Sequence, residues 1–280
     1  MRLVRKSYYI YRRENMKIGL SSAVFYPQKS EIAIDKLCEM GFHVSEFFYN
    51  CEYEISEEFL TQIKSVCETS GTEIIAVHPF TAFAESVYFF SEYERRCEEQ
   101  LAKYAEIFKR VKWLGAKYFT LHGDRAHKGL GDDVCKLTCG AIQSLQKLSD
   151  AARQAGITLC LENVAWCKSA NINYLKSVSE NVDGIGFTLD LKQARRAGVP
   201  WESYLDVMGD KLRNIHISDF DENNDCLLPG EGLFDFRQFF SRIEEVGYKG
   251  DVIVEVYSSN YSDEKRISAS KSFLEDIAGI

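Results

Sequence analysis

Ile157-Thr158-Leu159-Cys160-Leu161-Glu162 is an apolar run that closes on a single carboxylate. The same form returns at Leu121-His122, Leu189-Asp190, Ile215-His216 and Val254-Glu255. In a strand, successive side chains point to opposite faces, so Leu159 and Leu161 share one face while Cys160 and Glu162 share the other. The parity repeats in Phe187-Thr188-Leu189-Asp190, in Ile215-His216-Ile217 and in Val252-Ile253-Val254-Glu255-Val256. The large branched residues then lie beneath helices, and each polar residue projects inward. Isolated buried charge is costly, so carboxylates and imidazoles converging at strand ends need a shared partner; a divalent cation is the simplest one.

Working outward, apolar strand-like runs recur at 17–20, 44–48, 73–77, 117–121, 157–161, 185–189, 212–217 and 251–256. Between them lie helical periodicities such as 32–41, closed by Gly41, and Gly71, Gly115, Gly156, Gly184 and Gly247 stand similarly just before strands. Residues 91–115 alternate Glu with Arg or Lys around Leu101, Ala105, Phe108 and Val111, which predicts one long amphipathic helix. Eight alternating β and α units predict an α/β fold, a single (β/α)8 TIM barrel with its functional face at the carboxyl ends of the strands.

Four prolines in 280 residues and no Pro/Gly/Ser-rich linker argue for one domain over 16–280. Residues 1–15, MRLVRKSYYIYRREN, are basic but lack an apolar core or cleavage site, and read as an N-terminal extension or surface appendage. No apolar stretch is long enough to span a bilayer. Nine cysteines with no secretory signal and no CxxC pair predict reduced thiols in a cytoplasmic protein. Cys135 and Cys139, four apart, would share a helix face, but no second ligand pair completes a zinc knuckle. Cys160 is expected inside the barrel. A net charge of −8 disfavours a nucleic-acid partner.

The order of the strand ends resembles the xylose isomerase-like superfamily of sugar isomerases and epimerases, which also includes the endonuclease IV type of repair enzyme. The carriers are Val77-His78-Pro79-Phe80, Leu121-His122-Gly123-Asp124, Leu161-Glu162-Asn163, Thr188-Leu189-Asp190, Ile215-His216-Ile217-Ser218-Asp219, Pro229-Gly230-Glu231-Gly232 and Val254-Glu255-Val256. The resemblance implies that Glu162, Asp190, His216 and Glu255 ligate one divalent metal. Three carboxylates with one imidazole suit Mn²⁺ best, with Mg²⁺, Co²⁺ or Zn²⁺ as alternatives. It further implies that Glu162 and Glu255 flank a carbohydrate-like substrate and exchange a proton beside its carbonyl, the metal stabilising the enediolate. A homo-oligomer is the default expectation for such barrels.

Around this centre, His78 and His122 either hydrogen-bond a substrate hydroxyl or satisfy backbone groups, and Asp219 either orients His216 or caps its loop. Trp166, Phe25, Tyr26 and Phe80 either shape a pocket or pack loops; Glu231 sits in a glycine turn able to approach a ligand. Departures from the superfamily pattern narrow the reading. Gln193 stands where histidine is frequent; it remains a candidate for a substrate hydroxyl but makes a second metal improbable. Residues 218–226 lack the Asp-x-His pair of the endonuclease branch and the arginine of several ketose epimerases, and Lys168 replaces a glutamate. The expected activity is therefore a metal-dependent sugar or sugar-phosphate isomerase or epimerase. An inosose or dehydroshikimate dehydratase is the alternative, and a nuclease or a non-catalytic binding barrel ranks behind.

Overall fold

Parallel strands covered by helices on one side must bury their other face, and here the sheet does so by closing on itself. The computed structural model describes residues 16–127, 129, 131 and 135–280, so the expected extension at 1–15 lies outside the described residues. Eight parallel strands form one closed barrel in chain order: β1 (Ile18–Ser21), β2 (Val44–Tyr49), β3 (Glu73–Pro79), β4 (Tyr118–Leu121), β5 (Thr158–Glu162), β6 (Gly186–Asp190), β7 (Leu212–Ile217) and β8 (Val252–Val254). β1 pairs in parallel with both β2 and β8, which completes the ring. All eight expected strands are present, with ends shifted by a residue or two.

The helices are α1 (Ser30–Glu39), α2 (Glu57–Ser70), α3 (Glu85–Phe89), α4 (Glu94–Leu114), α5 (Cys139–Gln154), α6 (Ile172–Asn181), α7 (Leu191–Ala197), α8 (Trp201–Met208), α9 (Phe236–Glu245) and α10 (Lys265–Ala278). Local chemistry sets their ends. The hydroxyl of Ser56 accepts the Phe59 N–H to open α2, and Thr138 does the same for Ala141 in α5. The long helix predicted around 91–115 is α4, which stops at Gly115 with φ 106°, a conformation that favours glycine. Its buried stripe of Tyr104, Ile107, Phe108, Val111 and Leu114 faces the barrel. The Cys135/Cys139 helix face does not form: the Thr138 cap starts α5 at Cys139, leaving Cys135 buried in the preceding loop and Cys139 exposed.

The main apolar layer lies between strands and helices and includes Leu159, Leu161, Leu189, Ile215, Ile217 and Val254, the outward residues of the sequence pattern. Each fully buried Phe or Leu there contributes about 1.5–3 kcal/mol. A second, small cluster of Val44, Ile75, Ala76 and Ile253 plugs the barrel from within. Cys160 is fully buried, and a Cβ built on Gly186 would come 3.1 Å from its sulfur, so a glycine in β6 makes the room that the thiol fills.

Candidate active site

Strand parity and register bring the inward polar residues to one end of the barrel. Glu162 and Asp190 are the last residues of β5 and β6, and Asp190 pairs in register with His216 of β7. Glu255 follows β8 and is held by its N–H donating to the Ile217 carbonyl at 3.0 Å. All four side chains are buried, and one ligand atom from each lies within 4.8 Å of all the others. Nδ1 of His216 is 3.6 Å from Glu162 Oε1, 3.8 Å from Asp190 Oδ2 and 3.5 Å from Glu255 Oε2.

The donors are oriented from behind. Asp190 Oδ1 accepts the Gln193 N–H and caps α7, which turns Oδ2 toward His216. Asn163 clamps the Asp190 backbone through two hydrogen bonds, of 3.0 and 2.7 Å. The far nitrogen of His216, Nε2, is 3.0 Å from Glu46 Oε2, an atom that also accepts from Asn214 Nδ2 at 2.9 Å and Thr120 Oγ1 at 3.3 Å. A carboxylate behind one imidazole nitrogen fixes the other as a ligand.

These residues fit a divalent cation on the structure's own terms. Asp190 Oδ2 and His216 Nδ1 are buried and make no hydrogen bond, with Lys192 Nζ 3.3 Å from the former as an ion pair; buried polar atoms without a hydrogen bond are costly. Burial opposes charge on His216, yet Glu46, Glu255 and Glu162 hold its pKa well above the ordinary value. Glu162 is pulled well below the usual carboxylate range despite its burial, by His216 and His78. Burial dominates at Asp190 and pushes it up to about 7, against the pull of Lys192. A cation held by this cluster would compete with protons for its donors.

His78 and His122 extend the polar floor. His78 Nε2 is 3.6 Å from Glu162 Oε2, and its pKa is raised to about 9 because Glu162, Glu46 and Glu255 outweigh its burial. His122 is locked by Glu85, whose carboxylate accepts the His122 and Gly123 N–H groups at 2.9 and 2.8 Å and lies 3.1 Å from Nδ1. Both histidines, with Glu162, Glu255, Lys192 and Gln193, line a cavity of about 560 Å³ whose upper wall is Tyr26, Phe80, Phe83, Trp166 and Tyr257. Trp166 stacks on Phe83 with centroids 5.2 Å apart.

Some sequence expectations land elsewhere. Asp219 does not reach His216 or the cavity: its two oxygens accept the N–H groups of Phe220, Gly230, Gly232 and Phe234, so it caps the loop after β7. Glu231 pairs with Arg266 at 2.7 Å, outside the cavity. Phe25 is fully buried in the apolar layer and shapes no pocket. Gln193 lines the cavity, but its side-chain oxygen is used by the Ala165 N–H at 3.0 Å, which leaves only its amide NH₂ for a ligand. Lys168 is paired with Asp124 at 2.6 Å.

Sequence reasoning missed Glu46, Glu85 and Lys192. Glu46 had a signal, because Val44-Ser45-Glu46-Phe47-Phe48 is another apolar run carrying one carboxylate. Lys192 had none. Its Nζ lies 2.8 Å from Glu255 Oε2 and 3.3 Å from Asp190 Oδ2, and it is almost fully buried. It reaches both carboxylates because α7 begins directly on Asp190, its N-cap.

Comparison with known proteins agrees with this fold. A family model described as a xylose isomerase-like TIM barrel matches residues 34–277. Fructoselysine 3-epimerase of Escherichia coli O157:H7 is 25% identical over 275 residues, covering 92% of this chain and 96% of that protein. A crystal structure of a D-tagatose 3-epimerase-like protein superposes with a TM-score of 0.77 at 19% identity, covering 94% of this chain and 97% of that one. IOLI protein, solved with a zinc atom, gives a TM-score of 0.76 at 21% identity over 94% of this chain and 98% of that one.

Proposed function

This chain belongs to the xylose isomerase-like TIM-barrel family, and from that premise we propose that it is a divalent-metal-dependent sugar isomerase or epimerase. The observation that carries the proposal is the pair of buried carboxylates Glu162 and Glu255, which enter one cavity from β5 and from the end of β8. Fructoselysine 3-epimerase, similar over nearly the whole chain, supports the reaction class, and the zinc atom of the similar IOLI structure supports a metal.

Glu162, Asp190, His216 and Glu255 would hold the ion, which when bound supplies Lewis-acid polarisation of substrate oxygens. We take Mn²⁺ as the expected ion for this oxygen-rich set. The rest is done by the chain itself. One glutamate oxygen removes the proton from the carbon beside the carbonyl, and the other glutamate returns a proton to the same or the neighbouring carbon. Positioned acid–base groups of this kind contribute roughly 10²–10⁴-fold. His78 and His122 face the same space and donate to substrate hydroxyls. The aromatic wall of Trp166, Phe83, Phe80 and Tyr257 seats the apolar face of the sugar and keeps water from the enediolate.

The test is solvent exchange. A panel of ketoses, their phosphates and inososes is incubated with enzyme and Mn²⁺ in D₂O and followed by proton NMR. Deuterium at a carbon beside the carbonyl of one compound, absent with Glu255→Gln, is the expected result. Loss of a hydroxyl would instead identify a dehydratase, and no exchange with any compound would overturn the reading.

A further inference from the structure

Lys192 is the residue that the proposed chemistry leaves unexplained. It occupies the first turn of α7, where the helix dipole disfavours a cation, and its side chain is 3% exposed. Two carboxylates hold it there against the cost of burial, Glu255 at 2.8 Å and Asp190 at 3.3 Å. The oxygen that it takes on Glu255, Oε2, also faces His216 Nδ1, 3.5 Å away. The oxygen that it approaches on Asp190, Oδ2, has the same orientation and makes no hydrogen bond. The ammonium therefore shares two donor oxygens with the metal site.

We propose that Lys192 is an internal counter-cation that competes with the divalent ion for Asp190 and Glu255 and so sets how tightly the ion is held. This rests on the metal-site reading above. Two positive charges sharing the same oxygens repel, so every bound ion is held more weakly than the four ligands alone would hold it. From this same position Nζ also lies 4.8 Å from the centroid of the Tyr257 ring at the cavity wall, a cation–π distance, so the ring and the two carboxylates hold the ammonium together.

The experiment is a Mn²⁺ titration against a fluorescent chelator, run in parallel on wild type, Lys192→Met and Lys192→Gln. Methionine keeps the length of the side chain and removes its charge. The expected result is binding about tenfold tighter or more in both variants. A Lys192→Met protein that folds only when Mn²⁺ is present supports the proposal equally, because the ion then does what the ammonium did. Unchanged or weaker binding in the variants overturns it. If wild type and variants all bind no Mn²⁺, the metal-site reading fails first, and this inference falls with it.

Discussion

Replacing Glu46 by Gln should weaken metal binding by about 10–100-fold without unfolding the protein. Three donors converge on one oxygen of Glu46: His216 Nε2 at 3.0 Å, Asn214 Nδ2 at 2.9 Å and Thr120 Oγ1 at 3.3 Å. The other oxygen has no hydrogen-bond partner, so the variant places its amide oxygen on the three donors and its NH₂ in the unpaired position. Packing is kept, but a charge-assisted bond to the imidazole becomes a neutral one, roughly half as strong. The proton is then less firmly fixed on Nε2, and Nδ1 presents its lone pair less often. A tenfold change in affinity corresponds to about 1.4 kcal/mol, so the expected loss is about 1.4–2.8 kcal/mol. Chelator competition with Mn²⁺ measures it, and circular dichroism confirms the fold. A dissociation constant within twofold of wild type would refute the idea that Glu46 orients the ligand.

Glu255→Gln should lower turnover by about 10²–10⁴-fold at saturating metal, because an amide neither accepts nor returns a carbon-bound proton; full turnover, measured by deuterium exchange, would remove Glu255 from the chemistry. Phe108→Ala should cost about 3–5 kcal/mol in urea unfolding, since its ring is fully buried and packs 5.1 Å from that of Phe119. Activity per folded molecule should be unchanged by it, and a loss of activity with stability intact would contradict the separation of core from site.

The barrel and the inward placement of most candidate site residues were legible because a period of two is strict. Once Leu159 and Leu161 lie under the helices, Glu162 has nowhere to point but inward, and the same logic places Asp190, His216 and Glu255. Glu46 obeys that rule, but it sits inside its run, beside a register shift at Ser45/Glu46, where a search for polar strand ends passes over it. Lys192 was illegible for a different reason. A lysine opening a helix reads as a solvated charge, and only the three-dimensional approach of α7 to Glu255 buries it. Asp219 shows the converse: a carboxylate two residues past β7 suggests a partner for His216, yet four backbone N–H groups of the following loop claim it. Loop conformation is set by such local competition, which strand periodicity does not encode.

The most direct measurement is elemental analysis of protein purified without added metal, alongside the Glu162→Gln/His216→Ala double mutant. About one divalent ion per wild-type chain is expected, retained through gel filtration or regained on incubation with Mn²⁺, and none in the double mutant. A wild-type protein that takes up no ion even from excess Mn²⁺, or a double mutant that binds as well as wild type, would contradict the metal-site reading.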